Sequence, residues 1–125
     1  MLVLVVDDDL DIRCTIAQVL REEGFRVREA RDGRDALAKI EEEMPDLLLL
    51  DLMMPVMSGW QLLETLRDTP HCRTLPVIIL SAAPPTGEIT EGCADYIEKP
   101  VSFDRLVRLV ESVHANAGDG APSSG

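Results

Sequence analysis

Pro45-Asp46-Leu47-Leu48-Leu49-Leu50-Asp51-Leu52-Met53-Met54-Pro55 decides the fold. Four successive leucines show no alternation of apolar and polar residues, so a strand with one wet face is excluded. A short continuous apolar run between turn residues predicts a parallel strand covered on both faces. Leu2 to Val6 and Val77 to Leu80 have the same character. Ala94 to Ile97 is a weaker copy, and Phe25 to Arg28 makes a fifth strand. Segments of helical period lie between these runs. Ile12, Ile16, Val19 and Leu20 stand at i, i+4, i+7 and i+8, and Gly24 just beyond is placed to end the helix. Further helices are expected from about Arg34 to Glu42, from about Ser58 to Arg67, and from Ser102 to Val113. Strand and helix alternate over connections this short, which implies right-handed crossovers and an α/β, doubly wound parallel sheet with helices on both faces.

Composition narrows the possible partners. The 125 residues fit one domain, and 46% apolar content is enough for a core. Against 12 Lys and Arg stand 23 Asp and Glu, a net charge of −11 that repels nucleic acid and anionic membranes alike. The opening Met1 to Val6 has no basic flank and runs into three aspartates after six apolar residues, so it reads as a strand rather than a leader. No apolar run has the length of a bilayer span. Cys14, Cys72 and Cys93 are widely spaced and without histidines at ligand spacing, as expected of reduced thiols in a cytoplasmic protein. His71 and His114 each stand alone and are given no role.

Chemistry gathers at the strand ends. Asp7, Asp8 and Asp9 follow the first strand, Asp51 the third and Ser81 the fourth, while Lys99 comes shortly after the fifth. In an open α/β sheet, ligands bind beyond the carboxyl ends of the strands where the strand order reverses. Several carboxylates crowded there must either take up protons or share a cation. Mg²⁺ suits them, because it takes hard oxygen ligands and leaves positions free for phosphate oxygens. A carboxylate beside it is a competent nucleophile toward phosphorus. Lys99 would add a positive charge and Ser81 a hydroxyl donor, which completes a set fit for phosphoryl transfer. An aspartate after an apolar strand is often only a helix cap, and Asp9 and Asp11 are read that way.

These residues also carry a resemblance to the response-regulator receiver family. It rests on Val5-Val6-Asp7-Asp8-Asp9, Ala30-Arg31-Asp32-Gly33, the stretch from Pro45 to Pro55, Ser58-Gly59, Ser81-Ala82 and Asp95-Tyr96-Ile97-Glu98-Lys99-Pro100. The matches occur in order, on the expected elements, over residues 1 to about 114; residues 115–125 read as a flexible tail or linker. The resemblance implies a flavodoxin-like sheet of strand order 2-1-3-4-5. It implies that Asp51 accepts a phosphoryl group from a phosphohistidine on a histidine kinase or histidine phosphotransfer protein. Asp8 would bind Mg²⁺ directly, Asp7 through a water, and Met53 through its backbone carbonyl, with the Met53 side chain at the site's mouth tuning hydrolysis. Lys99 would pair with the phosphoryl group on a turn set by a cis Lys99-Pro100 bond. Ser81 would move inward onto the phosphate and Tyr96 would swing from exposed to buried, while Ala82 leaves room for the donor. The signal would pass to an unidentified downstream protein or output domain.

One departure from the family pattern stands out. Ala83 to Gly92, with Pro84, Pro85 and Gly87, is about one helical turn short of the family pattern, which predicts a stunted fourth helix; since the resemblance implies a face of that helix, the last strand and the last helix for symmetric dimers, no such dimer is expected. Two other functions compete. A haloacid-dehalogenase-type phosphatase would use Asp7 and Asp9 as nucleophile and acid, but it needs a longer chain and leaves Asp51 unexplained. A phosphorylation-independent interaction module would not need the full set of acids and the lysine. A calcium loop starting at Asp7 fails, because Ile12 and Gln18 stand where glycine and glutamate are required.

Overall fold

In the computed structural model, which describes residues 1–52, 54, 57–81 and 95–123, five strands form one parallel sheet. In chain order these are β1 (Leu2–Val6), β2 (Arg26–Ala30), β3 (Leu47–Asp51), β4 (Val77–Ser81) and β5 (Asp95–Glu98). The described α-helices are α1 (Leu10–Glu22), α2 (Gly33–Glu42), α3 (Gly59–Asp68) and α4 (Phe103–Ser123), with a short 3₁₀ turn at Pro70–Cys72. The sheet order is β2-β1-β3-β4-β5, so the chain steps outward from β1 to β2 and returns to β3 on the other side of β1. That reversal sets the switch point between β1 and β3.

The leucine run behaves as its composition requires. Leu47 to Leu50 are fully buried, and the pleat sends them alternately to two apolar layers. Leu48 and Leu50 join Leu4, Val6 and Ile79 against Ala36 and Ile40 of α2 and Leu62 and Leu66 of α3. Leu47 and Leu49 join Val3, Val5, Ile78 and Leu80 against Ile16 and Leu20 of α1 and Leu106 and Val110 of α4. Each such side chain contributes roughly 1.5–3 kcal/mol by leaving water. Both layers grip β3 at once, which fixes where its last residue, Asp51, emerges.

Local chemistry sets the helix ends. The Asp9, Asp32 and Ser58 side chains accept from the backbone N–H groups of Ile12, Asp35 and Gln61, and the Gln61 side chain returns a bond to Ser58. Asp11 does not cap: it lies inside the first turn of α1, where its charge faces the positive helix end. Gly24, at φ +95°, closes α1, its N–H donating to the Arg21 carbonyl while that of Phe25 reaches Leu20. The expected helix end at Val113 falls short, since α4 is helical to Ser123; Ala115 and Ala117 favour its continuation at first, and nothing in the sequence explains the helical run through Gly118, Gly120 and Pro122. The segment expected to hold a stunted helix, 83–92, lies outside the described residues.

Candidate functional site

Asp7 is the first residue after β1 and Asp51 the last of β3, adjacent strands that end together at the switch point. Both are buried, unlike the exposed Asp8. One carboxylate oxygen from each of Asp7, Asp8 and Asp51 lies within 4.8 Å of the other two. Lys99, just past β5, reaches over from two strands beyond Asp51 and three beyond Asp7. Its Nζ stands 3.2 Å from Asp7 Oδ2 and 3.5 Å from Asp51 Oδ2. Burial pushes the ammonium down, but the charges of Asp7 and Asp51 outweigh it and hold Lys99 above the ordinary lysine range. The Lys99-Pro100 peptide is cis, as the family resemblance implied.

The backbone holds Asp7 from several sides. Its N–H donates to the Ala30 carbonyl at 3.1 Å, its Oδ1 accepts from Asp9 N–H at 2.9 Å, and its carbonyl accepts from Arg13 Nη1 at 2.9 Å. Asp51 is positioned by packing from below. A Cβ on Gly59 would lie 2.5 Å from the Asp51 carbonyl oxygen and 2.7 Å from Leu52 Cα, so α3 begins directly against the end of β3 and only glycine fits. Neither Arg13 nor Gly59 was assigned a role from the sequence. An arginine one turn into a helix signals nothing until the fold brings it to the acids, and Ser58-Gly59, though part of the resemblance, does not reveal in sequence why the glycine is required.

Three carboxylates face a single ammonium, which leaves a net negative cluster of hard oxygens with one open, exposed member. That donor set fits Mg²⁺, which Asp7, Asp8 and Asp51 are placed to hold when it is bound. Of the other residues named from sequence, Tyr96 lies on β5 opposite Ile79 in register and packs, half-buried, against the layer of α2 and α3. Ser81 ends β4 opposite Glu98; its hydroxyl, like Met53 and Ala82 as a whole, lies outside the described residues. Cys14 and Cys72 are free thiols. His114 packs edge-on to Phe25, 5.8 Å between ring centroids, and is far from this chemistry in role. Among the described residues, no helix is long and apolar enough to cross a membrane.

Known proteins resemble this chain in fold and in sequence. The receiver domain of the Francisella response regulator 1452 superposes with a TM-score of 0.83 at 37% identity, covering 93% of this chain and 98% of that one. Vibrio cholerae chemotaxis protein CheY4 gives 0.82 at 29% identity, over 90% and 97%. In sequence, an uncharacterised 14.6 kDa protein of Leptolyngbya boryana is 39% identical, covering 87% of this chain and 86% of that protein. The transcriptional regulatory protein PrrA of Mycobacterium tuberculosis is 36% identical over 98% of this chain. The chain spans 53% of PrrA, about half of that relative's length. The family model described as "Response regulator receiver domain" matches residues 3–111, from the second residue of β1 into α4. The leucine strand and the acids beyond it are thus those of a family: the chain belongs to the response regulator receiver domains of two-component systems.

Proposed function

We propose that Asp51 is the phosphoacceptor of this receiver, taking its phosphoryl group from a phosphohistidine of a histidine kinase or phosphotransfer protein in the cytoplasm. The observation that carries it is the buried Asp51 carboxylate, 3.5 Å from Lys99 and within one cation's reach of Asp7 and Asp8. A carboxylate oxygen of Asp51 attacks phosphorus; the new O–P bond forms as the P–N bond to the donor imidazole breaks, and the freed imidazole takes a proton from solvent. Lys99 already stands on the Asp51 oxygen and donates to the phosphoryl oxygens as they arrive. When bound, Mg²⁺ supplies charge neutralisation for the carboxylates and the transferring group. Asp7 and Asp8 hold it, with the Met53 carbonyl proposed as a further ligand.

The added charge, about −1.5 to −2, then favours the loop arrangement that puts Ser81 and Lys99 on the new oxygens, with Ala82 leaving room and Tyr96 turning inward. The domain works as a signalling phosphoacceptor rather than a turnover enzyme, and it passes its state to a downstream protein or an output domain. The end of α4 beyond about residue 115 leads on as a linker or tail, and the short segment 83–92 disfavours a symmetric dimer through the face it would form with β5 and α4.

The test is incubation with acetyl phosphate, with and without Mg²⁺, followed by intact-mass measurement. One Mg²⁺-dependent phosphoryl adduct per chain, lost in Asp51→Asn, is expected. Multiple turnover of a generic phosphate ester that survives Asp51→Asn would instead favour a phosphatase built on Asp7 and Asp9.

A further inference from the structure

Arg13, the fourth residue of α1, has a largely buried guanidinium that bonds both to the cation-site backbone and to β2. Nη1 donates to the Asp7 carbonyl at 2.9 Å, and Nε donates to Glu29 Oε1 on β2 at 3.2 Å. Glu29 is braced in turn by Arg21, whose Nη1 lies 3.5 Å from Oε2 and whose Nη2 donates to the Val27 carbonyl at 2.8 Å. The Asp7 carbonyl and the Asp8 N–H belong to one planar peptide, so whatever fixes that oxygen fixes the rotation of the plane. The Cα of Asp8 leaves from its far edge. Asp7 is buried and anchored through its own side chain by Lys99 and the Asp9 N–H, whereas Asp8 is exposed and is aimed by its backbone.

We infer that Arg13 is a positioning residue of the cation site, fixing through the Asp7 carbonyl the peptide that sets the direction of Asp8 relative to Asp7. The inference rests on Asp7 and Asp8 being the cation ligands proposed above. Arg13 touches neither metal nor phosphate; it holds the frame on which the ligands stand, and Glu29 holds Arg13 in the orientation that reaches Asp7. Its charge and its geometry make opposite demands. By charge alone, removing a cation from beside a cation site would tighten binding. Loss of an outer hydrogen bond that orients a ligand weakens metal affinity, typically by about 10–100-fold.

Calorimetric titration of Mg²⁺ into wild type, Arg13→Met, Arg13→Lys and Arg21→Met separates the two. Arg13→Met is expected to bind about tenfold more weakly despite the lost positive charge. Arg13→Lys keeps the charge but lacks the planar fork that serves Asp7 and Glu29 together, and it should also bind more weakly. Arg21→Met, which loosens Glu29 without touching Asp7, should stay within about twofold of wild type, well short of the loss expected for an orienting contact. The Asp8 amide ¹⁵N shift of the metal-free protein should move in Arg13→Lys and hold in Arg21→Met. Should Arg13→Met fail to fold, Arg13→Lys carries the comparison. Affinity equal to or above wild type in the Arg13 variants, or an equal loss in Arg21→Met, overturns the inference. A wild type that takes up no Mg²⁺ overturns the cation site itself.

Discussion

Burial acts on Lys99 in one direction and its two aspartates in the other, and the aspartates prevail. Because the folded protein holds this proton more tightly than the unfolded chain does, the pair contributes stability that is complete below the ordinary lysine value of about 10.4. That contribution is lost as pH rises through the higher folded value. In EDTA, urea midpoints of wild type should therefore fall more steeply than those of Lys99→Met above about pH 10.4; parallel curves would refute it. The same crowding predicts that Asp51→Asn stabilises the metal-free domain. It removes one acid from a cluster of three facing a single lysine, and like charges 4 Å apart cost about 1 kcal/mol even in bulk water. A gain of about that size in urea unfolding is expected in EDTA, and a loss would mean the Asp51–Lys99 pair outweighs the repulsion.

At the scale of the elements, α3 and β3 meet at Gly59 with no space for a side chain. Backbone atoms of Asp51 and Leu52 stand where a methyl would go, so relief requires moving the end of β3 or the start of α3. Gly59→Ala should cost about 1–3 kcal/mol in urea unfolding and slow labelling by acetyl phosphate, while an unchanged midpoint would deny the close packing. Much of this level was legible beforehand. The leucine run, the helical periods and Gly24 each had a local cause, and Asp7, Asp8, Asp51 and Lys99 could be assembled from strand ends alone. What escaped was whatever depends on approach across the fold. Arg13 is six residues from Asp7 in sequence, yet only the docking of α1 puts its guanidinium on that carbonyl. Gly59 belongs to the family motif with Ser58, but its physical reason emerges only when β3 is laid against it. Asp11 shows the converse error: residue type suggests a cap, but Asp9 already occupies that place.

Across the whole molecule, a net charge of −11 on 125 residues means that folding compresses like charges. Screening should stabilise the domain, so raising NaCl from about 20 to 300 mM should lift Tm by a few degrees in calorimetry; a fall would contradict this. Mg²⁺ should do more at far lower concentration, because it acts at one cluster. At 100 times its Kd it would add about 2.7 kcal/mol. Sheet order brings this about: only the return of the chain from β2 to β3 across β1 places Asp7 and Asp51 side by side.

On the proposed function, this convergence is what makes Asp51 the acceptor. Borohydride reduction of the domain after acetyl phosphate and Mg²⁺ converts an aspartyl phosphate to homoserine, which peptide mass spectrometry can locate. Homoserine at position 51 alone, and only when Mg²⁺ was present, is the predicted result. Homoserine at Asp7, Asp8 or Asp9, or at no position, would contradict it.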